Sequence, residues 1–239
     1  MTQEKEALIT LRKAGIKGGD EVVLYDVNMD IYPGDFVYFV GKVGSGKTSL
    51  IKTFIAEYTL ESGKCEVCGF KVHSIRSRDI PQLRRKCGVV FQDFMLLQDR
   101  SVHDNLEFVL KATGWKDRSR IEKRISEVLE DVGMETKAHK MPHQLSGGEQ
   151  QRIAIARAIL NKPEVILADE PTGNLDNETA DGIMKLFLRL NQTGGTAVII
   201  VTHDRNIFEN YPGRIFVCEE ERCREIRRDE EVIDLSITI

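Results

Sequence analysis

The chain has 239 residues, 41% of them hydrophobic and 30% charged, enough to build a full core in one large domain or one domain with an inserted lobe. Its net charge of −4 gives no overall basic footprint for nucleic acid, and no apolar run approaches the roughly 20 residues of a membrane span. The opening Met1-Thr2-Gln3-Glu4-Lys5-Glu6 is not a signal peptide, so the expectation is a cytoplasmic chain that meets a membrane only through a partner.

The first clear pattern runs from Val23 to Ile31. Val23, Tyr25, Val27, Met29 and Ile31 alternate with Leu24, Asp26, Asn28 and Asp30, which predicts a half-buried antiparallel strand. Pro33-Gly34 then turns the chain into the apolar run Phe36-Val37-Tyr38-Phe39-Val40. That strand feeds Gly41-Lys42-Val43-Gly44-Ser45-Gly46-Lys47-Thr48, which fits the phosphate-binding pattern G-x-x-x-x-G-K-[ST]. The stretch that follows, Ser49 to Ile55, has the character to start a helix. Strand, glycine loop and helix give the pattern its physical meaning: backbone N–H groups close around phosphate oxygens, and the helix N-terminus adds partial positive charge. Lys47 is placed to reach β- and γ-phosphates, and Thr48 to ligate Mg²⁺.

Five cysteines are too few and too scattered for a disulfide framework. Cys65-Glu66-Val67-Cys68 resembles half of a zinc knuckle, for which Cys218 and Cys223 are the available second half. Gly63 to Gly69 reads instead as a short strand bounded by glycines. Gly88-Val89-Val90-Phe91 is another apolar strand, ending at Gln92. Ser119 to Val132 carries Ile121, Ile125, Val128, Leu129 and Val132 at helical spacing before Gly133, and reads as scaffold.

Leu145-Ser146-Gly147-Gly148-Glu149-Gln150 precedes the helical run Ile153 to Leu160. Ser-x-x-Glu there is a capping box, but capping does not ask for two glycines in the first turn, where they weaken a helix. Glycines do admit a phosphate close to the backbone, so this is read as a second phosphate-binding helix end. Val165-Ile166-Leu167-Ala168 and Ala197-Val198-Ile199-Ile200-Val201 are continuous apolar runs, as expected of parallel strands covered on both faces, with a helix between them over Ala180 to Leu190. The first ends at Asp169-Glu170 and the second at Thr202-His203. Ligands of open α/β sheets sit beyond the carboxyl ends of the strands, so four strands aim polar groups at one site. Asp169 is read as a Mg²⁺ carboxylate and Glu170 as the general base for an attacking water.

In this order the glycine loop, Gln92, Leu145–Gln150, Asp169-Glu170, Gly173-Asn174-Leu175-Asp176 and His203 resemble the ABC-type ATPases over nearly the whole chain. The resemblance implies an α/β P-loop fold of the ABC type: a mostly parallel core sheet, an N-terminal antiparallel β layer and an inserted helical subdomain. Within a single domain over 1–239, residues 1–92 and 161–239 would form the nucleotide-binding core and 93–160 the helical subdomain. It implies ATP and Mg²⁺ as cofactors. Gly41, Lys42, Val43, Gly44, Ser45, Gly46, Lys47, Thr48 and Ser49 would hold nucleotide, and Lys47 would assist catalysis with Glu170 and His203. Gln92 would sense the metal held by Thr48 and Asp169. Ser146, Gly147 and Gly148, with Glu149 in the same motif, would face the γ-phosphate bound by a second copy, and Asp176 the opposite glycine loop. The expectation is a homodimer closed head to tail on ATP. The aromatic residue that usually stacks on adenine is missing from Lys13–Gly18, which leaves Ile16 as the candidate base contact.

Phe91-Gln92-Asp93-Phe94-Met95-Leu96-Leu97-Gln98-Asp99-Arg100-Ser101-Val102-His103-Asp104-Asn105 is similar to the cell-division branch of that family, which implies an FtsX-like transmembrane subunit as partner. The chain would then lie on the inner face of the cell membrane without inserting into it or binding nucleic acid. The alternative is the ATPase of a lipoprotein-release or macrolide-export transporter. A soluble ATPase of DNA repair or translation fits less well, because the chain has no room for a tandem domain, coiled-coil insertion or zinc module. The apolar run Phe94 to Leu97 reads both as packing inside the helical lobe and as a docking groove for a partner's helix. Arg224 to Ile239 ends in an apolar alternation from Val232, readable as a strand, a dimer contact or a partner-binding tail.

Overall fold

The computed structural model describes residues 6–226. Two long strands open the chain, β1 (Ile9–Gly18) and β2 (Glu21–Ile31), joined by a turn at Gly19 and paired antiparallel. β3 (Phe36–Val40) leads into α1 (Lys47–Phe54). β4 (Leu60–Val67) and β5 (Phe70–Lys71) complete a four-stranded antiparallel sheet ordered β2-β1-β4-β5. After α2 (Ile80–Lys86) comes β6 (Cys87–Val90). Three helices follow: α3 (Val102–Ala112), α4 (Arg118–Asp131) and α5 (Gly147–Ile159). The chain returns through β7 (Val165–Asp169), α6 (Asn177–Gly194), β8 (Ala197–Thr202) and α7 (Arg205–Asn210). The hairpin β9 (Arg214–Glu219) and β10 (Arg222–Ile226) closes the described chain. The second sheet is ordered β10-β9-β3-β8-β7-β6, parallel except for the β9–β10 pair.

The continuous apolar runs of β3, β7 and β8 follow from burial on both faces. Val37, Phe39, Val165, Leu167, Ile199 and Val201 join a core shared with the antiparallel sheet and α1. Their neighbours Phe36, Tyr38, Val40, Ile166, Ala168, Val198 and Ile200 join a second core with α5, α6 and the helices between β6 and β7. Period-two alternation therefore survives in these strands as a choice between two cores, not between core and water.

β2 breaks the simple alternation expected of it. Val27, Met29 and Ile31 are buried, but so is Leu24, while Tyr25 is 49% exposed. Asp26 holds a left-handed φ of 52° and the pairing slips by one residue between Val27 and Leu24. One extra residue in a strand reverses the faces beyond it.

The expected helix over Ser119–Val132 is α4, capped by Asp117 at its start and ended before Gly133 in the left-handed region. The helix expected over Ala180–Leu190 extends further, from an Asp176 cap to left-handed Gly195. The strand expected from Gly63 to Gly69 begins earlier, at Leu60. Cys65 is buried in β4, Cys68 stands beside Cys87, and Cys218 pairs with Cys223 in the other sheet. The two halves of the knuckle are thus separated, and no metal-binding cluster of His, Cys, Asp or Glu occurs among the described residues. Of the C-terminal segment, Arg222–Ile226 is strand β10; the alternation from Val232 to Ile239 lies outside the described residues.

Candidate functional site at the carboxyl ends of the strands

The loop between β3 and α1 is built by glycines in conformations that other residues avoid. Gly44 and Gly46 have φ of 82° and 91°, and Gly46 is the residue from which α1 starts. A Cβ at Gly46 would stand 2.8 Å from Leu24 Cγ, so the turn also packs directly on β2. Lys47 is buried beneath the loop, and its Nζ donates to Gly41 O and Lys42 O, both at 2.7 Å. Burial lowers its pKa, opposed by the nearby carboxylates of Glu170 and Asp169. Ser45 Oγ is buried and has no hydrogen-bond partner among the described residues.

Thr48 Oγ1 donates to Asp169 Oδ1 at 3.1 Å, which ties the first turn of α1 to the end of β7. Burial pushes the Asp169 carboxyl up; Thr48 lowers it and Glu170 raises it further. Glu170 follows at once with a left-handed φ of 48°, its N–H donating to Val201 O at 2.9 Å. Its Oε1 lies 2.7 Å from Nδ1 of His203, one residue beyond β8. A carboxylate only accepts, so Nδ1 carries the proton in this pair. Non-glycine backbone in this region is costly and persists where the surroundings impose it.

These groups surround one cavity of about 550 Å³, lined by Gly18, Val23, Val43, Gly44, Gly46, Lys47, Thr48, Ser49, Tyr58, Gln92, Asp169, Glu170 and His203. A cleft of about 560 Å³ lies between Pro33, Arg124, Lys162 and Thr196. Size does not single out the site; convergence of an ammonium, a hydroxyl, two carboxylates and an imidazole does.

Ser146, Gly147, Gly148, Glu149 and Asp176 do not line the cavity. Ser146 caps α5: its Oγ accepts from Glu149 N at 3.3 Å, and its N–H donates to Glu149 Oε2 at 2.9 Å. Lys137, 2.8 Å from the other Glu149 oxygen, helps to hold that carboxyl below its ordinary range. The capping reading of this motif is therefore realised, and Glu149 is engaged within its own chain. Asp176 caps α6, accepting from Thr179 N at 3.0 Å and Thr179 Oγ1 at 2.6 Å. The two caps touch: a Cβ at Gly148 would fall 2.4 Å from Thr179 Cγ2.

Ile16, the candidate base contact, does not reach the cavity. It is fully buried and paired with Leu24 and Leu60, outside the cavity. The slipped register of β1 and β2 turns it inward and leaves Gly18 and Val23 on the cavity wall. Tyr58, which the sequence reading missed, lines the cavity with its ring 4.9 Å from Lys52 Nζ. It lies beyond the end of α1, where no motif marks it.

The run after Gln92 splits between two environments. Leu96 is buried and Phe94 packs on the helical core, while Met95 is 60% and Leu97 37% exposed. Arg157 of α5 donates to the carbonyls of both Phe94 and Met95, which adopt φ of 56° and 53°.

A sequence profile described as ABC transporter matches residues 24–173. The chain belongs to the ABC transporter family. This ABC-type ATPase is 47% identical over 199 residues to the cell division ATP-binding protein FtsE of Mycobacterium tuberculosis, covering 83% of this chain and 86% of that one. It is 40% identical over 202 residues to the FtsE of Escherichia coli K12, covering 84% and 90%. Among solved structures it is similar to cbiO1 of Clostridium perfringens, described as part of the ABC transporter complex cbiONQ, with a TM-score of 0.83 and 30% identity over 92% of this chain and 88% of that one. It is also similar to the ATP-binding cassette MJ0796, solved as a dimer in a post-hydrolysis state with ADP and Pi, with a TM-score of 0.80 and 34% identity over 92% and 98%. The ABC-type ATPase fold expected from the sequence is the fold observed, and ATP is the nucleotide of the family.

Proposed function

We propose that this chain is the ATP-hydrolysing subunit of a membrane complex that acts in bacterial cell division, working as a head-to-tail pair with an FtsX-like transmembrane subunit. The observation that carries the chemistry is the convergence of four strand ends on one cavity, fastened by the Thr48–Asp169 and Glu170–His203 contacts. The cell-division role is supported by relatives named for it, and the pairing by neighbours solved as dimers.

Within the cavity, Gly44, Gly46 and the first turn of α1 offer backbone N–H groups to phosphate oxygens. Ser45 Oγ, buried without a partner, is a further donor that a phosphate would satisfy. Lys47 would pass its ammonium from two loop carbonyls to the β- and γ-phosphates. The residues also fit Mg²⁺, a hard cation that takes oxygen ligands: Thr48 Oγ1 and Asp169 Oδ1 stand 3.1 Å apart, and the Gln92 amide lines the same wall. When bound, Mg²⁺ would neutralise charge on the phosphates and orient them. Glu170 would take a proton from water, held in place by His203 Nδ1, which leaves Nε2 for the γ-phosphate.

Ser146 to Gly148 and Asp176 lie outside this cavity, which supports their role toward a second copy. Two chains closing on ATP would complete each other's sites, and loss of the γ-phosphate would release them. The outward Met95 and Leu97, with a groove between Ile80, Arg84, Arg85, Val109 and Arg157, supply a docking surface for a cytoplasmic helix of the membrane subunit. No helix among the described residues is long and apolar enough to cross a membrane, in keeping with peripheral attachment.

The test is Glu170→Gln. It should slow turnover by about 10²-fold or more, in the range of general-base contributions, while trapping an ATP-bound dimer on size-exclusion chromatography. Full turnover would sink the general-base assignment. Affinity purification from solubilised membranes should recover an FtsX-like subunit; a lipoprotein-release or macrolide-export permease would overturn the cell-division role.

A further inference from the structure

Cys218 and Cys223 face each other across the terminal hairpin of the second sheet. The connection is two residues long, Glu220 and Glu221, both with positive φ (46° and 59°), as in a type I′ turn. Such a turn makes Glu219 and Arg222 the hydrogen-bonded pair, so Cys218 and Cys223 form the next, non-hydrogen-bonded pair, where facing strands come closest. Their sulfurs are 3.2 Å apart and both side chains are buried. Cα separations of that kind of pair, near 4.5 Å, lie within the range that a disulfide spans.

The pair abuts the phosphate loop. A Cβ at Gly41 would lie 2.2 Å from Cys218 O, so the loop's first residue is pressed against the Cys218 backbone with no slack. Gly41 O in turn accepts from Lys47 Nζ. The tip of the same hairpin is tied to β2, where Tyr25 N donates to Glu221 O at 2.7 Å, next to Leu24 beneath Gly46.

We propose that Cys218 and Cys223 form a reversible oxidation site that couples peroxide to nucleotide affinity; the coupling rests on the reading of Gly41–Thr48 as the ATP-binding loop. Hydrogen peroxide is the oxidant. The Cys223 sulfur attacks one peroxide oxygen, the O–O bond breaks, and hydroxide leaves with the thiol proton as water, giving a sulfenic acid. The Cys218 sulfur then attacks the Cys223 sulfur, the S–O bond breaks, and the hydroxyl leaves with the Cys218 proton as a second water. Two electrons pass from the sulfur pair to peroxide. Closing the gap to the bonded distance of about 2.05 Å draws Cys218 toward β10 and disturbs Gly41 and the Lys47 ammonium seated on it. Among the described residues β10 is the edge strand of its sheet, so local fraying admits peroxide without global unfolding. The hydrogen bond shared with Cys218, in which the protonated Cys223 donates, and then burial, keep the Cys223 thiol protonated until such opening, which makes the pair a slow sensor and not a ready nucleophile.

The test treats the full-length native protein with hydrogen peroxide and compares it with its reduced form. Intact mass should fall by roughly 2 units, as for oxidation of two thiols to one disulfide. After denaturation two of the five thiols should no longer react with a thiol reagent, and a peptide map should link Cys218 to Cys223. ATP affinity, measured by titration calorimetry, should fall at least about five-fold, a coupling of ordinary allosteric size, and return with dithiothreitol. Cys223→Ser should bind ATP like the unmodified protein and keep that affinity in peroxide; Cys218→Ala is the second variant should the first not fold. A linkage confined to Cys68 and Cys87, no linkage in the folded protein, a Cys218–Cys223 linkage that leaves ATP affinity unchanged, or a Cys223→Ser protein as sensitive as the unmodified one would each overturn the proposal. If the reduced protein binds no ATP, the nucleotide reading fails by itself, while mass and peptide map still judge the thiol pair.

Discussion

Replacing Gly148 with alanine puts a methyl group where the structure has no room for it. The new Cβ would stand 2.4 Å from Thr179 Cγ2, which is 1.0 Å short of the 3.4 Å at which ordinary contact begins. Thr179 cannot turn away freely, because its N–H and hydroxyl both donate to Asp176. The start of α5 must therefore move off the start of α6, and Ser146 shifts relative to Asp176. Displacement of about 1 Å in a catalytic constellation costs on the order of 10²-fold in rate. Stability should scarcely change, since alanine is favoured over glycine in a helix by about 1 kcal/mol, which offsets part of the strain. The expected outcome is kcat reduced about 100-fold with Tm within about 4 °C of the unmodified protein. Adding Thr179→Ser removes Cγ2 and keeps the hydroxyl, so the double variant should recover at least about ten-fold. Steady-state ATPase rates and thermal denaturation decide it. Normal turnover in Gly148→Ala, or no recovery in a well-folded double variant, would refute the reasoning.

Lys47→Ala removes two or more charge-assisted hydrogen bonds to phosphate, each about 1.5–3 kcal/mol, so ATP affinity should fall by about 10² or more in calorimetry; a loss below ten-fold would reject its phosphate role. Chelation with EDTA should abolish ATPase activity, and Thr48→Val should raise the Mg²⁺ concentration needed for half-maximal rate; an unchanged Mg²⁺ dependence would remove Thr48 from the metal site. His103 is partly buried, which disfavours its charge, but Glu122 at 2.9 Å and Asp104 at 3.4 Å more than compensate and raise its pKa. A histidine with a raised folded-state pKa contributes stability that is fully present below its ordinary value near 6.5 and is lost as pH rises through the folded one. Tm should accordingly drop across that window, and Glu122→Gln should flatten the drop; an unchanged slope would show that other groups set it.

The convergence of strand ends on one cavity was more legible in the sequence than the packing. The loop Gly41–Thr48, Asp169-Glu170 and His203 could be read because each stands at the end of a continuous apolar run, and runs of that kind mark buried parallel strands. What failed was phase. Nothing local in Val23–Ile31 announces that Asp26 takes a left-handed turn, so Tyr25 was grouped with inward residues and Ile16 was offered to the base. The extra residue is fixed by pairing with β1, a partner far from obvious in one strand's own pattern. Tyr58 was invisible for a related reason: it follows the helix by chain but shares a cavity wall with Thr48 and Gln92 only in space. At Ser146–Glu149 two readings competed, and the structure realises the cap while leaving both glycines at the helix start.

Helix α6 has a mechanical consequence. Its 18 residues make a rod about 27 Å long, with Asp176 at its head. Its tail is pinned, because the Asn191 side-chain amide donates to Gly34 O, Asp35 O and Thr196 O. Ile183, Met184 and Phe187 seat its middle on the core, so its freedom is small; even so, a tilt of about two degrees carries the head of a 27 Å rod through about 1 Å. The position of Asp176 is thus set in part near the opposite end of the sheet, and a loosened Asn191 would let a well-formed cap drift out of place.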